Sequence, residues 1–234
     1  MPTRWKAVGI VGGLGPLACA HFYTRLVELT GADGDSGHPE VLLLSSPDVP
    51  SRLAHLLESG PSPVPALRTV ARRLEEAGSE VIAVPSLTSQ AFRDEIAAAV
   101  TVPVIDMLTA VTERLRTAGV RRPALAVTDG TRRTGLLHKA LTAGGLTPVY
   151  PDQNDQARIQ QCVTLVKAGQ SRLARAQFCS LASAPWTVTG DSFVIGCTDL
   201  SPLLSDLPPG GHDVGDLYAR AVLEAASTPL KHGL

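Results

Sequence analysis

The chain has 234 residues, 44% of them hydrophobic, with a formal net charge of -1 and a sequence pI of about 6.6. That length can bury a sizeable core, as one large domain or as two of about 110 residues. The near-neutral charge leaves no basic field for nucleic acid, since the arginine pairs Arg72-Arg73, Arg121-Arg122 and Arg132-Arg133 are too short to be more than solvated faces. The first apolar run, Ala7–Val11, stops at Gly12-Gly13. It forms neither a secretory segment nor a span of about 20 apolar residues, so the expectation is a soluble, cytoplasmic protein with no membrane partner.

In chain order, short β-branched runs alternate with longer helical patterns, which indicates an α/β fold built on mainly parallel sheets. Strands are expected at Ala7–Val11, Val41–Leu44, Val81–Val84, Val102–Ile105, Ala124–Val127 and Phe193–Ile195. Helices are expected at Leu17–Thr30, with Pro16 suited to the first turn, and at Ala66–Ala77, Leu108–Ala118, Gly135–Ala143, Ala157–Lys167 and Leu217–Ala226. The stretch through Pro61, Pro63 and Pro65 reads as a loop. The domain change is expected near residue 105, giving a first lobe of residues 1–104, joined by the C-terminal helix 215–234, and a second lobe of residues 105–214.

In such sheets the ligand edge lies at the carboxyl ends of the strands, so the loops after the strands are where chemistry is sought. Gly12-Gly13-Leu14-Gly15-Pro16 follows the first strand. From Gly13 to Ala18 it fits a weak dinucleotide pattern, but Pro16 and the lack of an acidic residue after the second strand argue against NAD. An anion-binding turn around Gly13, or simply a tight turn that needs glycine, remain the two readings. Ser45 to Arg52 follow the second strand, where Arg52 offers a planar fork for a carboxylate, or alternatively Ser51 caps a helix and Arg52 faces solvent.

Two further loops look alike. Val81 to Thr88 and Ser192 to Asp199 each run from a short strand into a turn with a small nucleophile, Ser86 in one and Cys197 in the other. If the two strand ends face each other, these groups stand on opposite faces of one substrate carbon, as proton transfer at carbon requires. The polar turn after Cys197, read as a helix start, is expected to lower its thiol pKa through aligned N–H dipoles. The four cysteines form no CxxC pair, and Cys19, Cys162 and Cys179 fit buried helix positions; the six histidines show no ligand spacing. No metal site is expected.

Taken together these residues resemble the cofactor-independent aspartate/glutamate racemase family. Gly9 to Ala18 is similar to its G-I-L-G-G-M-G-P-x-A opening, and Ile195-Gly196-Cys197-Thr198-Asp199 to its G-C-T-E catalytic turn. Pro47 to Arg52, Gly130-Thr131, Asn154-Asp155-Gln156, Val166-Lys167-x-Gly169 and Asp213-x-x-Asp216 add weaker matches across nearly the whole chain.

The resemblance implies two pseudo-symmetric α/β lobes, each a mainly parallel sheet flanked by helices, with the active site in the cleft between them and no cofactor. Two cysteines normally flank the substrate α-carbon. Cys197 matches the second, whereas the family's P-C-N-T-x-H turn is here Pro85-Ser86-Leu87-Thr88-Ser89-Gln90, with serine in place of the first cysteine, leucine for asparagine and glutamine for histidine. An alcohol titrates roughly 7 units above a thiol, about 10 kcal/mol for making the anion, so Ser86 is a poor unaided base.

The expected assignment is Cys197 as main acid/base and Ser86 as its partner. Gly13, Arg52 and Lys167 would be carboxylate contacts, with Thr88, Thr131 and Thr198 in hydrogen-bonding support. The partner is a small carboxylate or amino acid, and relatives imply a homodimer. Alternatives are a single-cysteine decarboxylase or isomerase of a dicarboxylate, as in the related arylmalonate decarboxylases that keep only the second cysteine, and a non-catalytic carboxylate-binding protein.

Overall fold

The computed structural model describes residues 3–203 and 208–229. From the amino end, β1 (Thr3–Trp5) leads to β2 (Val8–Gly12), α1 (Pro16–Thr30), β3 (Val41–Ser45), α2 (Arg52–Glu58), α3 (Val64–Glu76), β4 (Val81–Ala83) and α4 (Arg93–Ala97). There follow α5 (Met107–Thr117), β5 (Pro123–Ala126), α6 (Asp129–Thr134), α7 (Leu136–Ala143), α8 (Gln153–Lys167) and α9 (Ser171–Leu181). The described chain ends through β6 (Ser192–Ile195), β7 (His212–Asp213), α10 (Val214–Ala226) and β8 (Ser227–Pro229).

Two parallel three-stranded sheets carry the fold, ordered β3-β2-β4 and β5-β6-β7, and β1 pairs antiparallel with β8. Every residue of β2 is buried, so its sequence Val-Gly-Ile-Val-Gly has no polar alternation, as expected of a central parallel strand covered on both faces. Helices supply the cover. Along α3 the buried positions Leu67, Val70, Ala71 and Leu74 recur at helical spacing and pack with Ile82, Val84, Ile96 and Val104. In the second sheet the same cover comes from α8 and α9, whose Ile159, Cys162, Val163 and Phe178 pack with Ala124, Ala126, Phe193 and Ile195.

The chain divides into two compact units, one of Met1–Met107 with Tyr218–Leu234 and the other of Leu108–Leu217, so the change of unit falls within α10.

Most sequence expectations survive, with instructive exceptions. Val102–Ile105 is not a ladder strand: it touches β4 through a single bridge, Ile82 to Val104, because Pro103 has no N–H to offer and only accepts from Ile82 N at 2.9 Å. The proline stretch is partly helical, since Pro65 occupies the first turn of α3. Cys179 is exposed on α9 and not buried as its pattern suggested.

One tyrosine ties the first unit together. Tyr218, fully buried on α10, accepts the Val84 N–H at 3.0 Å and donates to Ile105 O at 2.8 Å. Tyr218→Phe leaves both backbone groups without a partner, and urea unfolding should show a loss of about 1–3 kcal/mol. An unchanged midpoint would mean the hydroxyl bonds contribute nothing to that unit.

Candidate active site

In the first unit the chain leaves β4 through Val84 and Pro85 to Ser86, which is extended (φ -147, ψ 111) and precedes a 3-10 turn, Leu87–Phe92. Ser86 is buried, and its hydroxyl accepts from the Ser89 hydroxyl at 2.9 Å. A hydroxyl pair of this kind positions an alcohol without making it basic. Thr88, half-buried, is on the same turn, and Leu87 is packed into the core.

Gln90 has a bracing part that sequence reasoning missed. Its Nε2 donates to Val84 O at 2.8 Å and its Oε1 accepts from Met107 N at 3.2 Å, so the amide bridges the end of β4 and the start of α5. Neither this brace nor Tyr218 leaves a signal in local spacing, because the partners lie far along the chain.

The glycine turn and the loop after β3 meet backbone to backbone. Gly13 has φ +86, and a Cβ there would sit 2.4 Å from Ser46 N, so both conformation and space demand glycine. Its N–H is directed at the Cys19 sulfur, which burial otherwise holds above its ordinary thiol range. Ser51 caps α2 by accepting the Ala54 N–H at 3.2 Å, as one of the two readings expected. Arg52 does not extend into solvent: its guanidinium donates to Leu14 O at 2.9 Å and Pro50 O at 3.3 Å, stitching the two loops together.

In the second unit β6 delivers the chain to Gly196, whose N–H donates to Ala126 O at 2.9 Å. A Cβ at this position would approach Val127 Cγ1 to 2.5 Å, so a larger residue would push the turn away from β5. Cys197 follows, 8% exposed, among Ile159, Cys162, Val163, Leu200 and Leu203. The N–H groups of Asp199 and Leu200 are directed at its sulfur, and Lys167 Nζ lies 3.5 Å from Asp199 Oδ2.

The thiol pKa runs opposite to the sequence expectation. Burial pushes it up to about 12, the Asp199 carboxylate adds to the rise, and the two N–H groups and Lys167 only partly offset it. Burial in the core of this unit outweighs the N–H groups of the turn, which leads into the 3-10 turn Ser201–Leu203.

The second unit thus brings Cys197, Thr198 and, through Asp199, Lys167 together. Thr131 is buried on α6, where its N–H and hydroxyl both bond the Thr128 side chain that caps the helix. Gln156, buried on α8, anchors Val127 O at 2.9 Å beside this turn. Among the described residues no group of three or more His, Cys, Asp or Glu side chains is arranged to hold a metal, and no helix is long and apolar enough to cross a membrane.

Because Asp199 and Lys167 act on the thiol with opposite sign, their variants should diverge. Alkylation of Cys197 by iodoacetamide, followed by peptide mass spectrometry at pH 8, should quicken in Asp199→Asn and slow in Lys167→Met, by roughly tenfold for each unit the thiol moves. In the unmodified protein the rate should still be climbing at pH 10, with no plateau near 8.5. A plateau there, or variants shifting together, would refute this electrostatic account.

Comparison with known proteins follows the same lines. Residues 11–213 match the family described as Asp/Glu/hydantoin racemase. A curated relative, the broad-specificity amino-acid racemase RacX of Bacillus subtilis (strain 168), is 22% identical over 204 residues, covering 86% of this chain and 88% of its own. Among solved structures, the aspartate racemase of Picrophilus torridus superposes with a TM-score of 0.83 at 24% identity, covering 95% of each chain. An aspartate racemase homologue from Pyrococcus horikoshii OT3 gives 0.76 at 22% identity, covering 94% of this chain and 99% of that one. With the family match spanning most of the sequence and the fold shared, the chain belongs to the Asp/Glu/hydantoin racemase family, a family of isomerases.

Proposed function

We propose that this enzyme moves a proton at the carbon next to the carboxylate of a small amino acid, without a cofactor, and that Cys197 is its main acid/base. The observation that carries the reading is the state of that thiol: buried at a strand end, touched by two backbone N–H groups, and protonated at neutral pH because its pKa is about 12. A protonated thiol is first of all an acid. In the proposed step the Cα–H bond breaks on one face, its electron pair delocalises into the carboxylate, and the S–H of Cys197 delivers a proton to the other face.

Ser86 is the proposed partner on the face where the proton leaves. Its neutral alcohol cannot keep a second proton, so in the proposed step it hands its own hydroxyl proton through Ser89 to hydroxide from solvent as it takes the one from carbon, and the Cys197 thiolate left behind regains a proton from water. Arg52 and Lys167 are the proposed carboxylate contacts, their positive charge stabilising the enediolate, while the Gly13 turn lets backbone approach closely and Thr88, Thr131 and Thr198 donate hydrogen bonds. Substrate carboxylate near Lys167 would compete with Asp199 for the ammonium, which lies 3.5 Å from Asp199 Oδ2.

The lack of a second thiol at position 86 favours one alternative, in which the carbanion arises by loss of carbon dioxide from a dicarboxylate and Cys197 alone protonates it. Incubation in deuterated water with amino acids and 2-substituted malonates separates the two. The racemase reading expects α-deuterium in an amino acid of either starting chirality, and release of carbon dioxide without exchange into amino acids would replace it.

Cys197→Ala should lower turnover at least about 100-fold with folding intact. Near-normal turnover would remove the thiol from the chemistry. Ser86→Cys should raise exchange only from the enantiomer whose hydrogen faces residue 86, measured from each pure enantiomer. An equal effect on both enantiomers would contradict opposed faces.

A further inference from the structure

We propose that Asp213 and Ser201 form a positioning pair that holds the Cys197 turn in its working shape, an inference that rests on Cys197 being the reacting thiol. Ser201 opens the 3-10 turn Ser201–Leu203, which continues the turn begun at Cys197: Leu200 N–H donates to Cys197 O at 2.9 Å and Leu203 N–H to Leu200 O at 2.9 Å. Ser201 is 3% exposed, and its hydroxyl donates to Asp213 Oδ1 at 2.9 Å.

Asp213 ends β7, in register beside Ile195 of β6, two residues before the thiol. The same Oδ1 accepts the Gly215 N–H at 2.6 Å, and the Asp216 N–H also donates to this carboxylate. It therefore caps the first turn of α10 and, through Ser201, ties the thiol-bearing turn to that cap. Burial raises the Asp213 carboxyl to about 7, with the Asp216 charge opposing its ionisation and three donors favouring it; above that pH its bond to Ser201 is charge-assisted.

The turn's shape governs the sulfur directly. The Asp199 and Leu200 N–H groups face the thiol from this turn, so loosening the turn would move those donors and open the sulfur to water. Ser201 and Asp213 are positioning residues that act through Cys197.

The test is the alkylation rate of Cys197 by iodoacetamide at pH 8, read by peptide mass spectrometry beside buried Cys162 of the same unit and exposed Cys179. Ser201→Ala removes the hydroxyl and leaves the α10 cap in place. It should quicken Cys197 alkylation by about tenfold, the population change set by losing one hydrogen bond to a charged acceptor, while Cys162 stays protected. Asp213→Asn keeps an acceptor oxygen and should fall between the unmodified protein and Ser201→Ala. With a substrate the unmodified enzyme turns over, kcat of Ser201→Ala should drop at unchanged KM. An unchanged Cys197 rate in folded Ser201→Ala, or a parallel rise at Cys162 that marks general loosening, would overturn the proposal. Normal turnover in Cys197→Ser would instead overturn the thiol's assignment, which the alkylation result does not depend on.

Discussion

Removal of the Cys197 sulfur from water outweighs every other influence on that thiol, and the character of the turn that carries it depends on this. Two N–H groups and an ammonium favour the thiolate, yet desolvation with one carboxylate beats them and leaves the resting group protonated near pKa 12. Anything that draws Lys167 away from Asp199, or sets another positive charge beside the sulfur, alters this balance.

Rigid backbone makes that balance possible. Gly196 lets β6 approach Val127, Gln156 holds the Val127 carbonyl, and Asp213 holds the far end of the same turn. The first unit solves the equivalent problem differently: Gln90 and Tyr218 grip the two sides of Val84, just before Ser86. In the family pattern the position of Gln90 is a histidine. Restoring histidine there removes an amide that bridges two backbone groups, so the differences in this turn are structural as much as chemical.

What the sequence made legible was whatever rests on periodicity or on a local turn. The buried β2, the amphipathic α3 and the Ser51 cap follow from neighbouring residues alone, and so does the place of Ser86 and of Cys197 each in a turn after a strand. What it hid depends on distant partners. The thiol pKa was misjudged because burial by Ile159, Val163 and Leu200 is not written next to Cys197. Arg52 seemed to choose between substrate and solvent, while its guanidinium donates to the carbonyl of Leu14. Cys179 failed for a related reason: α9 has a narrow buried stripe, Ala174, Phe178 and Leu181, and a residue one step from Phe178 already faces out.

The high thiol pKa also bears on survival of the enzyme in an oxidising cell. Thiolates are the species that attack peroxides and disulfides, and burial that pushes the Cys197 pKa up to about 12 keeps this thiol protonated at pH 7. Peroxide therefore meets a neutral sulfur sheltered from solvent. Any sulfenic acid that does form has no neighbouring CxxC partner in the sequence to resolve it. A thiol kept neutral and dry in this way is in chemical storage.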